Sequence, residues 1–488
     1  MRKILIFLVL FFNSVVVLNA SSATSGTLPV FYLNTANKAE ITTKEYYINA
    51  DFYIDADGID AYSSFGSEAE PVATEVRGRG NYTWTSFDKK PYRIKQNKKA
   101  SLLGMTKDKS YALLAHADDN TFLRNEVGFA LSRRLDLAFT ALHTPIELVL
   151  NGEYKGLYFL TDHLKVSKER VNIVEQEEGE TNPKLVTGGW LIEIDNYDDS
   201  RKISTIRVPR FTVKSPENLT PVQDAYIRNF LQTTEDAIYL SDKTNNLWEN
   251  YIDLNSLVDF YIIQEIVGNT EAFNGSCFFS KERGTDTKII FGPVWDFGNA
   301  FRHGHKFIYQ DIQFHSHWLP EIVKYPHFQA TVKQRWSRLR DEDFMEDIYD
   351  YIDSFVARVS QAVSFDYNRW KQYGSKNYSN SVNMVKNYLV DRVAWLDQQW
   401  FVPTGLSNAK EDGFNIYPNP AKDRVNIESQ SEIISVQVYD MKGQLIKQFE
   451  DLNAESFSVP LNDVQAGIYL LNVKTRNCSL QKPVILMQ

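Results

Sequence analysis

The chain has 488 residues, 43% hydrophobic and 24% charged, enough to bury a large core across two or three domains. Its aromatic share of 13% (30 Phe, 26 Tyr, 9 Trp) argues against disorder and suits strands and binding surfaces. A formal net charge of -9 lacks the basic footprint of a nucleic-acid partner.

The first residues, MRKILIFLVLFFNSVVVLNA, pass from Arg2 and Lys3 through an apolar run to Ala20 before Ser21. That order predicts a signal peptide over 1–20, cleaved after Ala20. No Cys follows the cleavage point and no second run of about 20 apolar residues occurs, so the mature chain is expected to carry no lipid or transmembrane anchor. Residues 21–70 alternate apolar and polar positions with Asn, Lys and Asp-Gly breaks, which predicts an N-terminal β segment. Asp55, Asp57 and Asp60 around Gly58 invite a calcium reading. They lack the third early ligand and the late Glu of an EF-hand loop, so a plain Asp-Gly hairpin is expected.

From about 72 to 200 the pattern is α plus β. VATEVRGRGNYTW and KKPYRIKQ predict strands around a Gly-bearing turn. TFLRNEVGFALSRRLDL places Leu123, Val127, Ala130, Leu131 and Leu135 at helical spacing. IELVLNGEYKGLYFLTDHLKV predicts two strands joined at Asn151-Gly152, and GGWLIEID another strand. From about 220 to 400 four apolar-striped helices are predicted, interrupted by CFFSKERGTDTKIIFGPVWDFG, two short strands around a Gly turn. A strand-rich lobe followed by a helical lobe with one inserted hairpin is an arrangement that kinases use. Cys277 and Cys478 fall in regions assigned to different domains and form no disulfide framework. His303, His305, His315 and His317 make two H-x-H pairs; without cysteine or a carboxylate partner nearby, they are expected in a polar loop rather than a metal site.

Residues 403–412 read as a linker. The last stretch, 413–488, changes to short strands between turns and predicts a small β-sandwich. YPNPAKDRVNI (417–427), VYDMKGQLI (438–446) and AGIYLLNVKT (466–475) closely resemble a type IX secretion sorting domain. The resemblance implies export through the periplasm by the type IX machinery of a Gram-negative bacterium, removal of this domain, and release or attachment at the cell surface.

Phosphoryl transfer needs groups to hold phosphates, a carboxylate for the metal and a carboxylate for the attacking hydroxyl. Arg77-Gly78-Arg79-Gly80-Asn81 offers guanidinium groups and close backbone approach. Lys95 could reach phosphates, Glu126 on the following helix could pair with that lysine, and Asp296 stands in the triplet Asp296-Phe297-Gly298. No His-Arg-Asp loop exists, which excludes an ordinary eukaryotic-type kinase.

RGRGNYTW (77–84), KKPYRIK (89–95), YALLAHADDNTFLRNEVGFALSRRL (111–135), TPIELVLNGEYKGLYFLTDHLKV (144–166), GGWLIEID (188–195) and FGPVWDFGNAF (291–301) resemble the spore-coat CotH kinase family. The resemblance implies an α+β, atypical protein-kinase-like two-lobe domain over 71–402, with the short β segment before it and the β-sandwich after it. It also implies transfer of ATP phosphate, with Mg²⁺ or Mn²⁺, to Ser or Thr of a protein at the cell surface or in the envelope. By the same resemblance Lys95, with Arg77, meets the nucleotide phosphates, Asp296 holds the metal, and the segment Leu160 to Leu164, including Asp162, lies beside the nucleotide. Glu271 stands where many members carry a catalytic Asp, and its extra methylene moves the carboxylate; misplacement on that scale can cost roughly 10²-fold in rate. Gly298 stands where members often carry a second acid, leaving Asn299 or Asn274 as substitute ligands. These departures keep open an alternative, a catalytically inactive CotH-like surface binding or assembly module.

Overall fold

The computed structural model describes residues 24–195, 197, 202–208, 210–309, 318–400, 415–440, 444–475 and 479–486. The predicted signal peptide over 1–20, the predicted linker over 403–412, Cys478, His315 and His317 lie outside the described residues. The chain forms two compact units, Met1–Gln329 with Met345–Trp395, and Ala330–Phe344 with Leu396–Gln488.

The first unit begins with a closed barrel of seven strands: β1 (Val30–Thr35), β2 (Ile48–Asp55), β3 (Val72–Gly78), β4 (Tyr92–Ala100), β5 (Asp108–Leu114), β6 (His143–Leu150) and β7 (Glu153–Asp162). Their order is β1-β2-β3-β4-β5-β7-β6, and a parallel β1–β6 pairing, Val30 opposite Glu147, closes the ring. Alternation along the strands sends Phe31, Leu33, Phe52, Ile54, Val76, Ile94, Leu113 and Leu148 into one buried core. The strands expected as a separate N-terminal segment are thus two staves of this barrel. Upstream of β1, Ser25 donates its backbone N–H and hydroxyl to the buried Glu147 carboxylate (2.8 and 2.7 Å), which also accepts from the Tyr154 hydroxyl (2.7 Å). The β6–β7 turn is the expected Asn151-Gly152 hairpin, both residues at positive φ (55° and 84°), as a two-residue turn requires. The 57–58 Asp-Gly step instead lies in a longer loop, where Asp55 accepts from the Asp57 N–H (3.0 Å).

Two helices accompany the barrel. The stretch after Arg79, expected as strand, turns into the short helix α1 (Tyr82–Ser86), while α2 (Arg124–Arg134) forms where the apolar spacing predicts a helix but is not amphipathic, since every residue from Glu126 to Ser132 is buried. A second sheet holds β8 (Trp190–Ile194), β9 (Phe211–Ser215), β10 (Cys277–Lys281) and β11 (Ile289–Phe291), in the order β11-β10-β8-β9. The predicted inserted hairpin is β10–β11, and it is not isolated: β10 pairs with β8, so the loop before β10 and the loop after β11 approach one edge of the same sheet. Helices α3 (Pro221–Ile238), α4 (Leu254–Val267), α5 (Leu319–Ile322), α6 (Pro326–Asp341), α7 (Phe344–Arg369) and α8 (Tyr378–Trp400) make up the helical part. α3 opens with a capping box between Thr220 and Gln223, and α4 ends at Gly268 in the left-handed conformation. Among the described residues no helix is long and apolar enough to cross a membrane.

The second unit contains β12 (Asn415–Tyr417), β13 (Arg424–Asp440), β14 (Leu445–Phe449), β15 (Ala454–Pro460), β16 (Gly467–Thr475) and β17 (Ser479–Leu486). The expected sandwich is one hydrogen-bonded sheet. The 17-residue β13 pairs with β15 along its first half and with β14 and β16 along its second, changing partners at a register shift between Glu428 and Ile433. Val425, Ile427, Val436, Val438, Leu471 and Val473 supply its core.

Candidate active site

The triplet Asp296-Phe297-Gly298 is held by the start of α2. The Phe297 N–H donates to Asn125 Oδ1 (3.0 Å), and the Arg124 guanidinium donates to the Gly298 carbonyl. Gly128, one turn further along α2, lets the Phe297 ring lie flush on the helix: a Cβ there would stand 2.2 Å from the ring. Phe129 adds an edge-on contact with Phe297 (6.2 Å) and a tilted one with Trp295 (5.9 Å). So fixed, Asp296 has a positive φ (58°), a conformation that aspartate adopts more readily than most residues, and it is exposed.

Glu271 comes to the same place from the turn after α4. Asn269 ties the two together, donating from Nδ2 to the Asp296 carbonyl (3.2 Å) while its Oδ1 accepts from the Glu271 N–H (3.2 Å). Asn299 donates to Glu271 Oε2 at 2.6 Å, which fixes the longer carboxylate arm. Asn274 closes the turn by donating its N–H to the Glu271 carbonyl (2.9 Å), so Asn299 is the amide whose side chain engages the Glu271 carboxylate. Asp118, from the loop between β5 and α2, is the third acid. Burial and the Asp296 charge push Glu271 up to about 7; burial, Asp119 and Asp296 push Asp118 up to about 6. Glu193 on β8 is likewise raised to about 7 by burial, against the Lys214 ammonium 3.0 Å away.

Opposite the acids stands a basic group. Arg79 is held down to about 10 by burial, with the Asp296 charge working the other way, and its guanidinium lies over the Trp295 ring (5.7 Å). His163, just past β7, is kept far below its ordinary range by burial and by the positive charges of Arg93, Arg79, Arg170 and Lys214. Arg93 Nε is buried without a hydrogen-bond partner among the described residues. A neutral imidazole among four cations and an orphaned guanidinium N–H suit an anion such as a phosphate.

The other expected site residues are engaged elsewhere. Arg77 donates to the carbonyls of Lys44 (2.7 Å) and Glu45 (3.2 Å) and stacks over Tyr47 (4.7 Å). Lys95 is exposed beside the same Tyr47 ring (5.9 Å). Glu126 does not pair with Lys95. It is buried and accepts from His143 Nε2 (2.8 Å) and the Tyr351 hydroxyl (2.6 Å); burial alone would raise its pKa, but His143, Tyr351 and His116 together lower it. Asp162 is also fully buried, accepting from Arg170 (3.0 Å) and Thr106 (2.7 Å), so it braces the barrel end beside His163. His303 offers its carbonyl to Tyr388 (2.8 Å) and His305 stacks on Trp395 (6.4 Å). Cys277 is a buried thiol pushed far up by burial.

The acids Asp118, Glu193, Glu271 and Asp296 and the buried Arg79 guanidinium thus lie close enough to act on one another's charge. Comparison with known families supplies an assignment. Residues 76–396 match the family described as CotH kinase protein, and the chain belongs to that family. Residues 415–487 match the secretion system C-terminal sorting domain, which marks the protein for export to the cell surface or beyond. No curated protein matches the chain. A solved structure of PorZ, a surface component of the type IX secretion system of Porphyromonas gingivalis, is 24% identical over 17% of this chain and 13% of that one, with a TM-score of 0.15. The chain therefore spans a small part of PorZ.

Proposed function

We propose that this protein is an exported atypical kinase that moves the terminal phosphate of ATP, with Mg²⁺ or Mn²⁺, to a Ser or Thr hydroxyl of a surface or envelope protein. In this reading the barrel with α2 and the helical part correspond to the two kinase lobes. The observation that carries it is that Asn269 ties the backbones of Glu271 and Asp296 together while Asn299 holds the Glu271 carboxylate, with Arg79 near enough to feel the Asp296 charge.

The residues present fit both absent groups. Arg79 and Arg93 would hold phosphate oxygens in place of the expected Lys95; Arg93 and its cross-strand neighbour Arg77 each keep a buried Nε without a hydrogen-bond partner among the described residues, so Arg77 could contribute beside them. Asp296 would hold the cation, and an all-oxygen donor set suits Mg²⁺ or Mn²⁺. Among the described residues no group of three or more His, Cys, Asp or Glu side chains could hold a metal ion, so waters and phosphates would have to complete the cation's shell. Bound there, the cation would neutralise phosphate charge as transfer proceeds.

Glu271 is the group placed to take the hydroxyl proton. A carboxylate raised to about 7 is matched to proton transfer near neutral pH. The Asn299 hydrogen bond holds one oxygen still, leaving Oε1 for the acceptor hydroxyl, so the additional methylene of Glu is restrained. The test is transfer from labelled ATP by the full chain to itself or to envelope proteins. Glu271→Gln should retain nucleotide binding and lose transfer by at least about 10²-fold; Asp296→Ala should lose both. Equal incorporation by wild type and both variants would refute the reading. Nucleotide binding with no transfer by wild type would identify a nucleotide-dependent binding module instead.

A further inference from the structure

Resting on the reading of Asp296 as the cation's anchor, we propose that Asp118 supplies the second carboxylate of the same cation site, across the space that Gly298 leaves open.

The two neighbouring acids of the β5–α2 loop have different duties. Asp119 is consumed as a cap, accepting from the N–H groups of Thr121 and Arg124 (both 2.9 Å) and from the Thr121 hydroxyl (2.5 Å). Asp118 turns the other way, toward the triplet. A Cβ placed on Gly298 would lie 2.9 Å from Asp118 Oδ2 and 3.2 Å from Asp296 Oδ1. Two carboxylate oxygens on separate chain segments therefore flank one point, and no side chain can stand there without displacing one of them. Two cations are close: Arg124 donates to the Gly298 carbonyl, pairs with Asp119 (3.8 Å) and lends its charge to Asp118, and Arg302 donates to the same carbonyl (3.4 Å). Two carboxylates with nucleotide phosphates and water form an ordinary Mg²⁺ or Mn²⁺ environment.

Gly298 then has a different meaning from a lost ligand. The missing acid at 298 is replaced from 118, and the glycine is what permits it. The positions are 180 residues apart in the sequence, joined because Arg124 and Asn125 dock the triplet onto the helix that follows Asp118.

The test reads metal, not turnover. Mn²⁺ uptake by the full chain, with a non-hydrolysable ATP analogue present, is followed by the electron paramagnetic resonance of free Mn²⁺. Asp118→Asn and Gly298→Ala should each weaken uptake at least about tenfold, with urea unfolding midpoints unchanged. Gly298→Ala keeps both carboxylates and adds only the methyl that crowds Asp118, so it serves if Asp118→Asn folds poorly. Wild-type affinity in either variant, with affinity lost in Asp296→Asn, overturns the role of Asp118 and spares the kinase reading. Failure of the wild type to take up Mn²⁺ overturns both.

Discussion

Replacing Lys89 with Met should destabilise the first unit by about 3 kcal/mol or more. Lys89 Nζ sits 2.6 Å from Asp366 Oδ1 and 2.8 Å from the Leu157 carbonyl, with side-chain exposures of 1% and 4% for the ion pair. The same carboxylate oxygen accepts from the Leu157 N–H at 2.8 Å, so one lysine and one aspartate join the start of β7 to the end of α7. Burial pushes Lys89 down and Asp366 up, and the short contact opposes both shifts. Methionine keeps most of the stem but leaves Asp366 buried without its cation. Breaking such a pair costs roughly 3 to 5 kcal/mol, and the Leu157 N–H or protonation of Asp366 recovers part of that. About 3 kcal/mol is two powers of ten in the unfolding constant. Urea unfolding followed by tryptophan fluorescence reads the loss, and hydrogen exchange of residues 153–162 localises it. Gly156→Ala should act on the same joint, because its Cβ would meet Asp366 Oδ1 at 2.2 Å and its φ is 103°. The double variant Lys89→Met, Asp366→Leu should lose less than the sum of the two single changes, since neither charge is stranded. A cost below about 1 kcal/mol for Lys89→Met, or strict additivity in that cycle, would refute the reasoning.

Arg79→Ala should weaken ATP binding about 10- to 100-fold, the worth of a hydrogen bond to a charged group, whereas Lys95→Met should stay within about twofold; titration calorimetry separates them, and the opposite order would restore Lys95 to the phosphates. Gly128→Ala should displace the Phe297 ring and with it Asp296, lowering stability by about 1 to 3 kcal/mol despite the better helix propensity of alanine; a net gain in unfolding midpoint would show that the ring contact does not matter. His116, packed 4.3 Å from the Phe159 ring, is lowered to about 4 by burial. The unfolded chain therefore takes up this proton first: the contribution to stability is complete above about pH 6.5 and drains away as pH falls toward 4, by roughly 2 to 3 kcal/mol. His116→Gln should flatten that part of the stability profile, and an unchanged slope would rule the residue out.

Much of the local structure could be read from residue order. The Asn151-Gly152 turn, the helical spacing of α2 and the β character of the stretch after 413 are signals carried within a few residues of one another, whereas the 17-residue length of β13 is not. What could not be read are choices settled by distant partners. Arg77 and Arg79 look equivalent in RGRGN, but Arg77 finds the carbonyls of Lys44 and Glu45, leaving Arg79 to face Asp296. Glu126 resembles a lysine partner on a helix; its actual partners, His143 and Tyr351, come from a barrel strand and from α7. The Arg124-Asn125 pair just before it carried more site information than the Glu itself. Asp118 was hidden beside Asp119, because nothing in Asp-Asp tells which acid caps and which is free.

The barrel's closure has a practical side. The family match starts at residue 76, inside β3, so a fragment trimmed to that boundary would lack β1 and β2. It would also cut β3 to its last three residues, leaving β4 and β6 as edges ready to pair with other chains, and would uncover the core around Val76, Ile94 and Leu148. Glu147, deprived of the Ser25 donors, would remain in the wall with the Tyr154 hydroxyl as its nearest support. A recombinant version meant for enzymology should therefore start upstream of Ser25, since fragments starting at residue 71 or 76 are expected to aggregate whatever their catalytic residues can do.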